Sequence, residues 1–304
     1  MRRIKLGKSD LTVPRIAVGC MRIHAKSERE VAEWLDTALS LGANFFDHAD
    51  IYGSGECERR FGAVLSPSLR DRVILQSKCG ICGGKKYDFS YEHIVESVNG
   101  SLSRLGTDYL DVLLLHRPDT LMEPEEIARA FEDLKKAGKV RHLGVSNMNA
   151  RQISLLQSVL PEPIVANQLQ FSLMHTPLVS ASFHVNREDA FSASRDGYLL
   201  DFLREKEIPV QAWSPMQVGH LRVPFIDNPD YPEINAALDK FAEKYAVSKT
   251  TLAVAWILRH PAMGQVVTGT TNPARLADCI AACDVALSRD DWYELLREAG
   301  VVLP

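Results

Sequence analysis

The sequence alternates short apolar segments of strand-like composition with longer segments of helical period, and this alternation repeats eight times. The predicted strands cover residues 15–19, 43–47, 73–77, 109–115, 140–145, 165–169, 208–213 and 265–268. The predicted helices cover residues 28–41, 56–65, 91–105, 124–137, 150–159, 197–206, 231–245, 248–259, 273–282 and 289–298. Near-continuous apolar strands joined by helical crossovers are typical of a parallel sheet whose faces are both buried.

Eight strand–helix units without a linker predict an α/β protein with one (β/α)8 fold, a TIM barrel that spans residues 1–304 as a single domain. We expect residues 2–13 to form a short hairpin that plugs the barrel bottom. A doubly wound dinucleotide-binding sheet is the competing design, but it needs a G-x-G-x-x-G sequence after an early strand. The nearest match, GSGECE at residues 53–58, lacks the third glycine. The pattern therefore favours the barrel.

Composition excludes several other classes of protein. The net charge of -4 is spread over the chain, which gives no indication of a nucleic-acid partner. No apolar run approaches the ~18 residues of a membrane span, and the first residues lack the apolar core of a signal peptide. We therefore expect a cytoplasmic protein with no membrane partner. Segments 173–197 and 214–230 show no period and are predicted to be long loops after the sixth and seventh strands.

The six cysteines are too few for a disulfide framework. Cys79 and Cys82 match the C-x-x-C spacing, but no second pair follows at the spacing of a zinc site. We therefore expect buried or half-buried thiols without a role in a metal centre, while a redox or metal role stays open as the alternative.

Four reactive side chains follow predicted strands, at the rim where barrel enzymes carry their active sites. Asp47 and Tyr52, with Asp50 between them, follow the second strand, Lys78 follows the third and His116 follows the fourth. Each has an ordinary explanation when it is taken alone, because such residues often belong to turns or to the solvated surface. Together they bring a carboxylate, a phenol, an ammonium and an imidazole to one rim of the barrel.

These four groups suit the donation of a proton to a carbonyl oxygen. The pKa of a free tyrosine is about 10, a poor match for proton donation at neutral pH. We expect the ammonium of Lys78 to lower the pKa of Tyr52, helped by a hydrogen bond to the imidazole of His116. Asp47 would pair with the ammonium, which is costly to bury alone. Tyr52 is therefore the candidate general acid for the hydride reduction of aldehydes and ketones.

The sequence resembles the aldo-keto reductase family over nearly its whole length. The segments that carry the resemblance are FFDHADIYG, SKCG, LLLHRPD and GKVRHLGVSN. The first three contain the four residues named above, and the fourth lies further along the chain. The wording DHADIYG and the ending DDWYELLREAG resemble a bacterial branch of oxidoreductases without an assigned physiological substrate. The resemblance implies a barrel enzyme that uses NADPH/NADP+, with the catalytic tetrad Asp47, Tyr52, Lys78 and His116. It also implies that the pro-R hydride of the nicotinamide attacks the carbonyl carbon.

The same resemblance implies a set of cofactor-binding residues. Ser146, Asn147 and Gln168 match positions that bind the nicotinamide carboxamide, and Trp213 matches an aromatic residue that stacks on the ring. The residues at positions that bind the pyrophosphate in the family are Ser214, Pro215, Met216 and Leu221. The residues at positions that bind the adenosine 2′-phosphate and the adenine are Gly269, Thr270, Thr271, Arg275 and Asp278. The helix that follows is expected to offer backbone donors to the phosphate.

Two departures from the family pattern concern the cofactor. Many relatives carry a lysine where this chain has Gly269 or Thr270, which leaves the use of NADH open. The loop after Ser214 contains fewer glycines than in many relatives, so its contacts with the cofactor can differ. We expect a small-molecule carbonyl substrate and a monomer or weak homo-oligomer. The residues expected to line the substrate entrance are Met21, His24, Arg117, Phe171 and His220.

Two other functions occur on barrels of this kind. A cofactor-binding, redox-sensing regulatory subunit with weak turnover is the alternative, although such a protein does not need a tuned proton donor. A hydrolase on the same fold is disfavoured, because neither H-x-H nor H-E-x-x-H occurs and Ser214 stands after the seventh strand where a hydrolase would need a carboxylate.

Overall fold

The computed structural model describes residues 1–83, 85–180, 198–218 and 223–301. Its strands, in chain order, are β1 (Arg3–Lys5), β2 (Thr12–Pro14), β3 (Ile16–Gly19), β4 (Phe45–Asp47), β5 (Ile74–Cys79), β6 (Ile81–Cys82), β7 (Lys86–Tyr87), β8 (Leu110–Leu115), β9 (Val140–Ser146), β10 (Asn167–Gln170), β11 (Val210–Trp213) and β12 (Met263–Thr268). Eight of these strands close into a barrel in the order β3, β4, β5, β8, β9, β10, β11 and β12. Every pairing within the barrel is parallel, which confirms the predicted (β/α)8 fold.

Helices connect the barrel strands and cover the outside of the barrel. They are α1 (Glu28–Ser40), α2 (Glu56–Gly62), α3 (Pro67–Arg70), α4 (Tyr91–Leu105), α5 (Pro124–Lys136), α6 (Ala150–Gln157), α7 (Pro177–Ser180), α8 (Leu199–Glu205), α9 (Pro232–Tyr245), α10 (Lys249–Arg259), α11 (Pro273–Ala281) and α12 (Arg289–Glu298). Within the described ranges, every helix is too short or too polar to span a bilayer.

Local sequence signals fix where several helices begin and end. Ser27 and Asn149 each form a capping box at the start of α1 and α6, and the Ser90 hydroxyl caps α4. Gly106 ends α4 with φ 63°, a left-handed conformation that glycine adopts without steric cost. Gly144 in β9 is needed for space instead, because a Cβ atom there would lie 2.5 Å from a methyl carbon of Leu114.

The N-terminal hairpin closes the bottom of the barrel, as predicted. Strands β1 and β2 pair in antiparallel fashion. The side chains of Leu6, Leu11 and Val13 are buried in one cluster with residues of the barrel interior such as Phe45. Gly7 lies so close to the segment before β10 that a Cβ atom there would be 2.7 Å from the carbonyl oxygen of Val165.

The structure differs from the sequence prediction in short elements. The hairpin of β6 and β7 and the single-turn helix α3 were not predicted, because two to four residues are too few to show a period. The segment predicted as a loop over residues 173–197 contains α7 (Pro177–Ser180). Residues 181–197 of that loop, and residues 219–222 of the loop after β11, lie outside the described residues.

The barrel interior holds both an apolar cluster and a set of buried polar side chains. The apolar cluster contains Ala17, Phe45, Val112 and Leu114 with the hairpin residues. The buried polar side chains are unusual, because barrel interiors are mostly filled by branched apolar residues. They are Asp47, Gln76, Lys78, Gln168, Gln211 and Gln265.

Candidate active site

The structure brings Asp47, Tyr52 and Lys78 into direct contact at the carboxyl end of the barrel. Asp47 is the last residue of β4, Lys78 lies on β5, and Tyr52 begins a short 3-10 helix after β4. The side chain of Lys78 is completely buried, and that of Asp47 is nearly so. His116 follows β8, the strand that pairs with β5.

The Lys78 ammonium donates three hydrogen bonds. Its Nζ atom lies 2.8 Å from Oδ2 of Asp47, 2.7 Å from the carbonyl oxygen of His48 and 3.1 Å from Oη of Tyr52. An ammonium has three hydrogens and no acceptor, so all its capacity is used here. Oη of Tyr52 is the acceptor in the third bond, and the phenolic hydrogen is therefore free to point towards another acceptor.

Burial and the neighbouring groups together keep the ammonium and the phenol protonated. Burial is the largest single effect on Lys78 and lowers its pKa, but the charges of Asp47 and Tyr52 and the hydrogen bonds to both together outweigh it, so the pKa lies above its ordinary value. For Tyr52 the balance differs from the sequence expectation. The Lys78 ammonium lowers the pKa of the phenol, as predicted, yet burial is the larger effect and the pKa of Tyr52 is raised overall. A protonated phenol over the physiological range is the form that can donate a proton.

His116 contacts Tyr52 through its ring and not through a hydrogen bond. The two rings meet edge to face, with centroids 5.9 Å apart. Burial, followed by the charges of Lys78 and Arg117, holds the pKa of the His116 imidazole well below its ordinary value, so the ring is neutral. Its buried Nδ1 atom has no hydrogen-bond partner among the described residues. The expected bond between imidazole and phenol is absent from this structure, and the buried Nδ1 atom is not accessible to a bound molecule.

A column of glutamines beneath the tetrad was not predicted. Gln76 donates to Oδ1 of Asp47 at 2.6 Å, and Gln168 donates to the same oxygen at 3.0 Å. Gln211 accepts from both of these amides, and it donates to Gln76 and to Gln265. The last amide, that of Gln265, donates to the carbonyl oxygen of Pro14 at the barrel bottom, at 2.7 Å.

The orientation of each amide in this column follows from the groups at the two ends of the column. A carboxylate and a backbone carbonyl only accept hydrogen bonds, so amide nitrogens must face Asp47 above and Pro14 below. Single glutamines inside strands gave no sequence signal, because each looks like a solvent-facing residue of an alternating strand. Only the closure of the barrel shows that four of them share one interior.

The residues implied to bind the nicotinamide lie together at the ends of β9, β10 and β11. Ser146 Oγ donates to the carbonyl oxygen of Gln168 at 3.0 Å, and Asn147 Nδ2 donates to Ser146 Oγ at 2.7 Å. Asn147 has φ 56°, a strained conformation for a residue other than glycine, and its side chain also reaches the His116 carbonyl oxygen at 3.4 Å. Both amide hydrogens of Gln168 are used within the column, so its side-chain oxygen is the atom left for the cofactor. Trp213 ends β11 and is half-buried.

The loop after β11 is partly described. Ser214 has φ 51°, and its hydroxyl donates to Oε1 of Gln217 at 2.6 Å, so this donor is already used. Pro215 is buried and Met216 is half-buried. Leu221, which was predicted to contact the pyrophosphate, lies outside the described residues.

The start of α11 offers fewer free backbone donors than the sequence suggested. Pro273 has no N–H group. The side chain of Asn272 accepts from the backbone nitrogens of Ala274 and Arg275, at 2.9 and 3.3 Å. The backbone nitrogen of Asn272 itself donates to Thr270 Oγ1 at 3.1 Å. A phosphate at this end of α11 would therefore be held mainly by side chains.

The other residues predicted around the adenosine end are accessible to a ligand. Gly269 and Arg275 are exposed, whereas Thr270 and Thr271 are half-buried. Asp278 is half-buried on α11, and its backbone carbonyl oxygen accepts from Thr251.

The residues expected at the substrate entrance divide into two groups. Met21 and Arg117 are half-buried and His24 is exposed, as an entrance requires. Phe171 was wrongly placed there, because its side chain is fully buried and stacks on Trp256, with centroids 5.2 Å apart. An apolar residue just after a strand gave no indication of which side it faces. His220 lies outside the described residues.

The cysteines are free thiols in the structure. Cys79 is buried, and burial raises its pKa well above the ordinary value, so it is not a reactive thiolate. Cys82 is half-buried on β6 with its Sγ 3.5 Å from Nε2 of His93. This agrees with the expectation of buried or half-buried thiols.

A nicotinamide cofactor fits these residues. The half-buried indole of Trp213 and the polar groups of Ser146, Asn147 and Gln168 lie on the neighbouring strands β9, β10 and β11 or directly after them. A flat ring with a carboxamide needs such a combination of an aromatic face and amide-pairing groups. The donor set therefore suits the cofactor that the sequence resemblance implies.

Comparisons with known proteins agree with this geometry. The family model described as Aldo/keto reductase family matches residues 15–297. The uncharacterized oxidoreductase YcsN of Bacillus subtilis (strain 168) is 36% identical over 97% of each chain. A 6-dehydroglucose reductase of Agrobacterium fabrum (strain C58 / ATCC 33970) is 35% identical, again over 97% of each chain.

The fold has a solved counterpart. A crystal structure of a thermostable aldo-keto reductase in complex with the inhibitor epalrestat superposes with a TM-score of 0.78 and 22% identity, covering 98% of this chain and 100% of the other. Because the family model matches most of the chain, the chain belongs to the aldo-keto reductase family and is an NAD(P)H-dependent oxidoreductase.

Proposed function

We propose that the protein reduces aldehydes and ketones to alcohols with NADPH, and that Tyr52 is the general acid. The observation that carries this proposal is the position of the Lys78 ammonium, which bonds to Asp47 on one side and to Oη of Tyr52 on the other. The bound nicotinamide supplies the hydride. The four side chains supply a proton to the carbonyl oxygen and stabilise the charge that develops on it.

The roles of the four residues follow from their contacts. Tyr52 holds its proton because burial raises its pKa, and it gives that proton to the carbonyl oxygen as negative charge develops there. Lys78 stabilises the phenolate that remains. Asp47 keeps Lys78 charged within a buried site. His116 is neutral, and it orients the carbonyl oxygen by donating a hydrogen bond from Nε2, because its Nδ1 atom is buried.

We propose that NADPH is the preferred cofactor and that NADH is also used. Thr271 and the exposed guanidinium of Arg275 are the groups that would bind a 2′-phosphate. The start of α11 contributes little, because Asn272 already caps it. We therefore expect a modest preference for NADPH, which fluorescence titration of both cofactors would measure. The cytoplasmic location and the monomeric or weakly associated state stay predictions.

The experiment that tests the activity is a label-transfer assay. NADPH deuterated at the pro-R position of C4 is incubated with a panel of carbonyl compounds that includes 6-dehydroglucose, because a relative with 35% identity carries the name 6-dehydroglucose reductase. The proposal expects deuterium at the carbinol carbon of the product. Reduction with the label left in the oxidised cofactor would contradict the proposed hydride transfer.

The same assay distinguishes a reductase from the alternative function. A redox-sensing regulatory subunit would bind NADPH with quenched fluorescence but transfer deuterium to none of the carbonyl compounds, or only over hours. The buried ammonium–phenol contact favours the reductase, since sensing alone needs no proton donor.

A further inference from the structure

Arg117 is a half-buried cation beside the tetrad, without a polar partner among the described residues. It follows His116 at the carboxyl end of β8. Its guanidinium carbon lies 5.6 Å from the ring centroid of Trp213, and its charge acts on both His116 and Tyr52. It forms no hydrogen bond or ion pair with any described residue.

Every other partly buried lysine or arginine in the described ranges has such a partner. Each bonds to a carboxylate, to a side-chain amide or to backbone carbonyls. These residues are Arg15, Lys26, Arg60, Arg104, Lys135, Lys139 and Lys249. The contrast marks Arg117 as the exception.

An unpaired guanidinium in this position is unfavourable for the free protein. Partly buried charges are normally paired, because removal from water is costly without hydrogen bonds in return. Burial lowers the pKa of Arg117, which expresses the same cost, although the guanidinium stays charged at any physiological pH. Contact with the indole face of Trp213 offsets only part of that desolvation cost. An anion that enters the site would supply the missing partner.

We propose that Arg117 is the subsite for a carboxylate carried by the carbonyl substrate, so that the enzyme prefers aldehydes or ketones that are also anions. The proposal rests on the reductase function proposed above. The planar fork of a guanidinium matches the two oxygens of a carboxylate. The position favours the substrate over the cofactor phosphates, because Arg117 lies next to His116 and Tyr52, where the carbonyl oxygen binds, whereas the phosphates are assigned to the loops after β11 and β12.

The test compares matched substrates that differ only in charge. The kcat/KM values for 3- and 4-carboxybenzaldehyde are measured against those for their methyl esters, which carry the same aldehyde without the negative charge. A charge-assisted hydrogen bond in a partly dry site predicts a preference of about 10- to 100-fold for at least one acid. Arg117→Met should reduce this ratio to about 1, and Arg117→Lys should keep part of it.

The chain offers a matched control in Arg129 on α5. Its guanidinium carbon also lies over an aromatic ring, 4.5 Å from the centroid of Tyr91, but on the outer layer of the barrel. Arg129→Met should leave the ratio of acid to ester unchanged. A wild-type ratio near 1, or a ratio that survives in Arg117→Met, would overturn the proposal. An equal loss for acid and ester with weaker NADPH binding would overturn it too, since Arg117 would then hold the cofactor.

Failure of the subsite and failure of the reductase function are distinguishable. Terephthalate carries two carboxylates and cannot be reduced, so its binding to the cofactor-loaded protein is measured by calorimetry. The proposal expects Arg117→Met to weaken this binding about 10-fold or more, whether or not any aldehyde is turned over. Equal terephthalate affinity in the wild type and the variant would overturn the subsite.

Discussion

Nζ of Lys78 lies 2.8 Å from the carboxylate of Asp47 and has no exposure to solvent. A buried cation depends on such a partner, and removal of one member of a buried pair costs about 3–5 kcal/mol. Asp47→Asn should therefore lower the free energy of unfolding by about that amount and reduce kcat at least 100-fold, as urea titration and NADPH oxidation would show. Asp227→Asn, which breaks an exposed pair with Lys249, should cost less than about 1 kcal/mol. A similar small cost for both variants would contradict this account.

The pKa shifts at the site predict the pH dependence of reduction. Tyr52 must be protonated to act as the acid, and burial raises its pKa above the ordinary value of about 10. His116 has a depressed pKa and is neutral at physiological pH. We therefore expect kcat for reduction to be flat across the physiological range and to fall only at a pH above about 10. An ionisation that changes kcat between pH 6 and 8 and that persists in Asp50→Asn, which removes a carboxyl group with a pKa of about 7, would contradict these assignments.

The glutamine column predicts a difference between two buried substitutions. Gln76→Met removes a 2.6 Å hydrogen bond to Asp47, whereas Gln265→Met removes a bond to Pro14 at the other end of the column. Both should lower the melting temperature, because each leaves buried polar groups unpaired. Only Gln76→Met should also lower kcat, by about 10-fold, since Asp47 and Lys78 shift together. Equal kcat values in the two variants would show that the column is structural alone.

Asp50 predicts how stability depends on pH. Burial, with the charge of Glu58, raises the pKa of Asp50 to about 7, and its Oδ1 has no hydrogen-bond partner among the described residues. Because the folded state holds this proton more tightly than the unfolded state, its contribution to stability is present below about pH 4 and is lost as the pH rises towards 7. Asp50→Asn should therefore reduce the difference between the unfolding free energies at pH 4.5 and pH 7.5 by about 2 kcal/mol. This is roughly half of what the whole pKa shift would give, because the side chain is partly exposed. Identical pH dependence in variant and wild type would contradict the shift.

The barrel and the tetrad could be predicted from the sequence because both depend on strand ends. Apolar strands separated by helical segments indicate parallel pairing, and parallel strands bring their carboxyl ends to one rim. Asp47 ends β4, Tyr52 follows it and Lys78 is the last residue but one of β5, so the fold places all three at the same rim.

The balance of energies at the site could not be predicted. The sequence indicated that Lys78 lowers the pKa of Tyr52, but the depth of burial, which decides the net direction, depends on packing from the whole rim. The glutamine column was missed for a related reason, because its bonded members lie 43 to 135 residues apart and meet only when the barrel closes. The wrong placement of Phe171 shows that side-chain direction after a strand depends on the outer helices, here on Trp256 of α10.

The most direct test of the proposed chemistry is the rate of a single turnover in Tyr52→Phe. Stopped-flow fluorescence would follow NADPH oxidation with enzyme in excess, on the best aldehyde of the panel, after NADPH affinity has been measured in both proteins. Loss of the phenolic proton should slow the oxidation step at least 100-fold while NADPH binds as in the wild type. A rate within a few-fold of the wild type would show that the proton comes from elsewhere, and Tyr52 would not be the acid.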